Sequence, residues 1–183
     1  MMDDAGYLVI CGSFTGQTDV HPTWDLVSLD AGLKRHGFII KLDLDGELIW
    51  AKQIAGDDVT ITDITINGSK YYFSGAFQNS MQVQVGSTPI MATSRGKQDV
   101  VVGRLSAAGD MEWIRTVGGN GDDRATTIAS SGTHVIVAGL CGDTIDFDPD
   151  TSVMEVLTGD QTALFVLKLD QDSGRYAAHG IMA

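Results

Sequence analysis

The stretch His134-Val-Ile-Val-Ala-Gly-Leu-Cys141 is an apolar run around a glycine, and this pattern occurs three times in the chain. The other two copies are Tyr7-Leu-Val-Ile-Cys-Gly-Ser-Phe14 and Tyr71-Tyr-Phe-Ser-Gly-Ala-Phe77. A basic residue lies 29 residues after the glycine of each copy, at Lys41, Arg104 and Lys168. These equal spacings indicate an internal repeat with a period of about 63 or 64 residues.

Each repeat continues with a glycine turn and another apolar segment. The turn glycines are Gly46, Gly109 and Gly174. Trp50 and Trp113 follow in the first two copies, whereas the third copy has Ala178 at that position. A tryptophan that recurs at one repeat position is expected to pack between neighbouring repeats.

The short segments rich in Val, Ile, Phe, Tyr and Thr, separated by Gly, Asn and Asp, predict β-strands and turns without helix. Each repeat supplies four strands, and a long excursion between the second and third, such as 15–37 or 142–162, predicts an extra hairpin. Four antiparallel strands per repeat are typical of a β-propeller blade. We therefore predict an all-β fold, a partial β-propeller of about three four-stranded antiparallel blades.

The chain is interpreted as one repeat domain, 1–183, with blades at about 1–56, 57–119 and 120–183. The first blade is expected to lack its inner strand, because only 1–6 precede Tyr7. Propellers usually have about four to eight blades, so three are not expected to close a ring. Two interpretations stay open: a fragment of a longer propeller, or copies that assemble as a homo-oligomer, most simply two chains with six blades.

Five segments, given in the order of the repeat unit, define the pattern in more detail: Gly121-Asp-Asp-Arg-Ala-Thr-Thr-Ile-Ala129, Val135-Ile-Val-Ala-Gly139, Asp146-Phe-Asp-Pro149, Phe165-Val-Leu-Lys-Leu-Asp170 and Trp50-Ala-Lys-Gln-Ile54. In this order and spacing they resemble the bacterial β-propeller repeat proteins of the SBBP type. The resemblance covers nearly the whole chain. It implies a secreted or surface-displayed protein, and it brings no catalytic residues.

Composition and charge exclude several classes of partner. Twelve Lys and Arg face 24 Asp and Glu, a net charge of −12, and no local basic stripe interrupts this excess. Because an acidic surface repels phosphates, a nucleic-acid partner is not expected. The longest apolar stretch, 135–142, is far shorter than the roughly 20 residues that cross a bilayer, so membrane insertion is not expected either. Signal-peptide features are absent from 1–4.

One acidic segment is a candidate calcium site. It places carboxylates at alternate positions with another close by, at Asp143, Asp146, Asp148 and Asp150. Hard oxygen ligands at this spacing can bind Ca²⁺, although the segment lacks the glycine and glutamate of an EF-hand loop. The alternative interpretation is an exposed turn with solvated carboxylates. No other cofactor is predicted.

Two further segments are candidate binding sites. Gly118-Gly-Asn-Gly-Asp-Asp123 has the form of a calcium-binding nonapeptide, but a single copy favours a turn whose aspartates cap backbone amides. Trp24, beside His21 in the first excursion, has no counterpart in the other repeats. An unmatched aromatic residue on a loop is a candidate contact for sugar or protein, and the alternative is a lid over the blade edge. Cys11 and Cys141 lie in separate repeats and are not expected to form a disulfide.

The leading functional hypothesis is a non-catalytic extracellular or cell-surface module that binds protein or glycan, or serves as a structural scaffold. An enzyme is not predicted, because no catalytic cluster is recognisable. One alternative is a fragment of a propeller hydrolase or lyase with a site on the axis, where Asp63 and Arg124 are the charged candidates. Another is a structural repeat stabilised by calcium.

Overall fold

The structure is a computed structural model, which describes residues 1–21, 26–148, 155–156 and 162–182. Every regular element among these residues is a β-strand, and all strand pairs are antiparallel. The predicted all-β, antiparallel fold is therefore confirmed. The described residues include no helix of the length and apolar character needed to cross a membrane.

Twelve strands follow one another along the described chain. They are β1 (Leu8–Asp19), β2 (Ser28–Leu42), β3 (Leu48–Asn67), β4 (Lys70–Val85), β5 (Thr88–Leu105), β6 (Met111–Val117), β7 (Arg124–Ser131), β8 (His134–Gly142), β9 (Thr144–Ile145), β10 (Glu155–Val156), β11 (Thr162–Asp170) and β12 (Tyr176–Met182).

The strands form three sheets. The first six make one sheet in chain order, β7, β8, β11 and β12 make a second in the order β12-β11-β8-β7, and β9 pairs with β10 in a third. Within the described residues β1 and β12 do not pair with each other, so the sheets do not close. Outside its ladder with β2, β1 forms a bridge between Leu8 and Met2.

Strand β3 divides the six-stranded sheet, because its two halves pair with different neighbours. Residues 48–54 pair with β2 alone, whereas 55–67 pair with β4, and Asp58 pairs with both neighbours. We call β1, β2 and 48–54 the N-terminal layer; 58–67 with β4, β5 and β6 the middle layer; and the second sheet the C-terminal layer. The three layers follow the three repeats of the sequence.

The long excursions form hairpins in all three repeats, as predicted. In the first, 17–19 pair with 28–30, and in the second, 80–85 pair with 88–93. In the third repeat the hairpin is the short pair β9 and β10. These peripheral hairpins extend the layers at the end opposite the glycine turns.

Two apolar cores hold the layers together, and they explain why the strands alternate in burial. One lies between the N-terminal and middle layers and includes Ile39, Trp50 and Phe73. The other lies between the middle and C-terminal layers and includes Tyr72 and Phe165. The middle layer thus buries side chains on both of its faces, which is the arrangement that makes continuous runs such as Val100–Val102 apolar at every position.

Candidate functional site

The tryptophans join successive layers, as their recurrence predicts. Trp50 donates from Nε1 to the carbonyl oxygen of Ala107 in the next layer at 3.0 Å, and Trp113 donates to that of Gln171 at 3.0 Å. Each ring lies against the glycine of the turn it reaches. A Cβ on Gly109 would lie 2.7 Å from Cδ2 of Trp50, and a Cβ on Gly174 would lie 2.8 Å from Cδ2 of Trp113. We call each of these contacts a tryptophan latch.

Asp63, one of the two charged candidates for a site on the axis, connects two layers. Its Oδ2 accepts hydrogen bonds from Thr127 Oγ1 at 2.7 Å and from the backbone N–H of Ile128 at 2.9 Å. Thr62 nearby donates to the carbonyl oxygen of Ala125 at 3.0 Å. These hydrogen bonds hold residues 58–67 of β3, the first strand of the middle layer, next to β7, the first strand of the C-terminal layer.

Arg124, the other charged candidate, lies at the start of β7. Its partly exposed guanidinium pairs with Asp122 at 3.4 Å. Asp63 and Arg124 are therefore engaged with different partners in the described residues. The two side chains therefore do not form a common site of the kind that the hypothesis of an axial catalytic site requires.

The recurring basic position forms charged contacts between layers. Buried Lys41 lies 3.0 Å from Asp3 Oδ2 and donates to the Tyr71 hydroxyl at 2.6 Å, and that hydroxyl donates to Asp3 at 2.7 Å. Burial opposes ionisation of Asp3, but hydrogen bonds from Tyr71, from the Tyr7 backbone and from Lys41 outweigh it and lower its pKa to about 2. The cluster therefore holds a carboxylate in its charged form between the first two layers.

The predicted calcium ligands have different surroundings in the structure. Asp146 is buried and pairs with Arg95 of the middle layer at 2.7 Å, while its Oδ1 accepts the backbone N–H of Asp148. Asp143 adopts a positive φ of 58°. Asp150 lies outside the described residues. No group of three or more His, Cys, Asp or Glu side chains suited to a metal occurs in the part of the chain that the structure describes. Calcium binding by this segment stays a prediction.

Of the two predicted ligand contacts in the first excursion, only His21 lies among the described residues. His21 lies with Nε2 3.7 Å from a carboxylate oxygen of Glu47. Trp24 lies outside the described residues, so its role as a ligand contact stays a prediction.

Cys11 and Cys141 are free thiols, which agrees with the expectation that they do not pair.

Two buried carboxylates between the middle and C-terminal layers were not singled out by sequence reasoning as a pair. Asp123 is fully buried and accepts the backbone N–H groups of Gly119 at 2.9 Å and Gly142 at 3.0 Å, which confirms the amide-capping turn. Asp99 is 3% exposed and accepts the backbone N–H of Arg95, while its Oδ1 has no hydrogen-bond partner among the described residues. Its carboxyl group lies directly over Gly118, where a Cβ would be 2.3 Å from Cγ.

Burial sets the protonation of this pair. It raises the pKa of Asp123 to about 7, and the Asp99 charge adds to the rise, whereas the hydrogen bonds from Gly142 and Gly119 oppose it. Burial likewise raises the pKa of Asp99 to about 6. Asp99 has no acidic counterpart in the other repeats, where His36 and Ala163 take its place, so periodicity carries no signal for it.

A groove lies between the peripheral hairpins of the first two repeats. Its volume is about 520 Å³. Lys34, His36, Ser80, Gln82 and Met91 are among its lining residues. Lys34 pairs with Asp57 at 2.7 Å, and Asp57 accepts a hydrogen bond from Ser80 Oγ at 2.6 Å. We call this the hairpin groove. Its mixture of charged, amide and apolar groups suits a polar ligand with an apolar face, such as a glycan or a peptide.

The outer faces of the two outer layers are uncovered by the described residues. On the N-terminal layer, Phe38, Ile40 and Leu42 line an open cavity of about 260 Å³, and Ile10 is 37% exposed. On the C-terminal layer, Leu164 is 51% exposed, and its cross-strand neighbour Met182 is 58% exposed. Apolar faces of this kind mark sites of association.

Comparison with known proteins does not assign the chain to a family. No protein-family model matches it, and no curated protein sequence matches it.

Proposed function

We propose that this chain is a non-catalytic β-propeller-type repeat module that acts outside the cell or on its surface as a scaffold and contacts protein or glycan. In this interpretation each layer is one blade. The observation that carries the proposal is the contact between layers, which occurs twice with the same tryptophan latch, while each outer layer presents an apolar face that the described residues leave uncovered. A molecule built in this way is suited to association with further blades, including those of another copy.

The charged side chains support a structural role for the interior. Asp63, Lys41 and Asp146 each contact a neighbouring layer through hydrogen bonds or ion pairs. Groups held in this way stabilise the packing of the layers. The extracellular location is proposed from the resemblance to SBBP-type proteins.

The hairpin groove is the proposed site for a glycan or peptide. The exposed ammonium of Lys34 and the amide of Gln82 can donate hydrogen bonds to hydroxyl or carbonyl groups, while Met91 offers an apolar surface. The chain's net charge of −12 favours neutral or cationic ligands over anionic ones.

Glycan and peptide arrays, followed by calorimetry, test this proposal. We expect a ligand that binds the wild-type chain and binds the double variant Lys34→Ala/Gln82→Ala about tenfold or more weakly, because two polar contacts are removed. Lys97→Ala, which alters a lysine outside the groove, is the matched control and should bind like the wild type.

Three results would speak against the proposal. Equal binding by the groove variant and the control would place the ligand elsewhere. Chemical conversion of a bound ligand, detected by mass spectrometry, would contradict the non-catalytic role. No binding on either array would leave the scaffold role alone.

A further inference from the structure

The middle layer shows what a fully covered layer looks like in this molecule. Tyr71, Phe73 and Leu105 are buried against the N-terminal layer. Tyr72, Val100, Val102 and Val117 are buried on the opposite side, against the C-terminal layer. Each covered face has an equivalent in the outer layers, because the strand registers of the three repeats correspond.

The uncovered face of the N-terminal layer is equivalent to the first of these faces. Leu8 pairs with Leu42 as Tyr71 pairs with Leu105, and Ile10 stands at the position of Phe73. Phe73 is fully buried, whereas Ile10 is 37% exposed. The N-terminal layer therefore presents the surface that, in the middle layer, receives a preceding layer.

The uncovered face of the C-terminal layer is equivalent to the second. Leu164 and Met182 pair across β11 and β12 as Val100 and Val117 pair across β5 and β6. Val100 and Val117 are at most 1% exposed, whereas Leu164 and Met182 are more than half exposed. The C-terminal layer therefore presents the surface that, in the middle layer, packs on a following layer.

The charges on the two faces are also complementary. Between the middle and C-terminal layers, Arg104 pairs with Asp172 at 3.0 Å. The residues equivalent to them on the uncovered faces are Lys168 on the C-terminal layer and Asp45 beside Gly46 on the N-terminal layer. Docking of one face on the other would place a cation opposite an anion, as in the existing contact.

We propose that a second copy of this chain docks its C-terminal layer on the N-terminal layer of the first copy and so repeats the contact between layers that occurs twice within the chain. The two faces differ, so the contact is head-to-tail and closes into a ring when its rotation allows. Two copies would supply six layers, within the four to eight blades usual for propellers. The inference rests on the proposed function only for the premise of stacked layers, because its test does not involve a glycan or peptide ligand.

Sedimentation of the full chain and of two charged variants tests the proposal. The wild-type chain should sediment as a dimer or larger closed assembly. Ile10→Lys places a charge on the uncovered face of the N-terminal layer, and Leu164→Lys places one on the uncovered face of the C-terminal layer. Each variant alone should raise the dissociation constant of the assembly by at least about tenfold. Leu33→Lys, which alters a fully exposed leucine outside both faces, is the control and should assemble like the wild type.

Mixing the two charged variants identifies which faces meet. Leu164→Lys retains an intact N-terminal face and Ile10→Lys retains an intact C-terminal face, so an equimolar mixture should form a heterodimer with one intact contact. A wild-type monomer at all concentrations would overturn the proposal. So would a Leu164→Lys variant that still self-associates, because that result would show contact between two N-terminal faces. A ligand-binding failure in the hairpin groove would leave these results unchanged.

Discussion

At the scale of single residues, the buried pair Asp99 and Asp123 is the least expected feature of this acidic chain. A carboxylate in a low-dielectric environment is costly unless hydrogen bonds or cations stabilise its charge. Asp123 receives two backbone N–H groups, whereas one oxygen of Asp99 has no hydrogen-bond partner among the described residues. Protonation relieves that cost, which is why the folded protein holds these protons more tightly than the unfolded chain.

Asp99→Asn is predicted to change how stability depends on pH. The pKa of Asp99 rises from 3.8 to about 6 on folding, so the unfolded chain releases this proton first as the pH increases. The contribution of protonated Asp99 to stability is therefore fully present below about pH 4 and is lost as the pH rises through about 6. The variant should melt several degrees above the wild type at about pH 7.5 and close to it at about pH 4.

Thermal unfolding followed by circular dichroism across this pH range measures the effect. Asp4→Asn removes an exposed carboxylate near the amino terminus and should leave the pH profile almost unchanged. A variant of Asp99 whose melting temperature falls with pH as steeply as that of the wild type would contradict the assignment of the proton to this site.

At the scale of elements, the tryptophan latch connects the end of one layer to the turn of the next. Gly109 and Gly174 have φ values of 80° and 67°, a region that favours glycine, and each lies against a tryptophan ring. The turn and the ring therefore specify each other. A side chain at either glycine would strain the backbone, because φ is positive, and would also clash with the tryptophan ring.

Gly109→Ala and Gly174→Ala are each predicted to reduce the free energy of unfolding by about 1–3 kcal/mol, because the new methyl group overlaps a ring in a strained backbone conformation. Gly68→Ala is the matched control, since Gly68 has a φ of 57° but nothing within 4 Å of its added Cβ. It should cost less than either latch variant in urea unfolding monitored by tryptophan fluorescence. Equal costs for all three would show that the rings are not held by these turns.

At the scale of the whole molecule, the third repeat differs from the other two because Ala178 stands where they have tryptophan. Ala178 pairs with Lys168 as Trp50 pairs with Lys41, so the register places it at the latch position on the uncovered face. The contact proposed between copies therefore has the apolar faces of the internal contacts and the charge pair of the contact between the middle and C-terminal layers, but it lacks the latch.

Ala178→Trp is predicted to strengthen self-association by about tenfold or more, because the indole could reach the Gly46 turn of the second copy and bury a large apolar surface. Gly46 has a φ of 85°, like the glycines of the two existing latches. Dissociation constants from sedimentation equilibrium measure the change. Leu33→Trp adds a tryptophan outside both faces and should leave the dissociation constant unchanged. An equal decrease of the dissociation constant in both variants would indicate non-specific hydrophobic association.

The local order of the fold was predictable from the sequence, because strand formation depends on short apolar runs and on the turns between them. The equal spacing from Gly12, Gly75 and Gly139 to the following basic residues aligned the repeats, and the apolar runs between turn residues predicted the strands and the extra hairpins. The recurrence of Trp50 and Trp113 likewise predicted packing between repeats. Each of these features is repeated, so three copies of one pattern reinforced the interpretation.

Contacts that occur once became visible only when the layers were seen packed together. Asp3, Lys41 and Tyr71 come together from different parts of the chain, and Asp146 meets Arg95 of another repeat. Lys41 stands at the recurring basic position, but no periodic signal marks its partner Asp3 or the Arg95 partner of Asp146, because burial and charge pairing depend on which surfaces meet after the layers stack. The repeated strands follow from local residue patterns, whereas the stacking of those strands sets which carboxylates are paired, which have a raised pKa and which apolar faces stay uncovered.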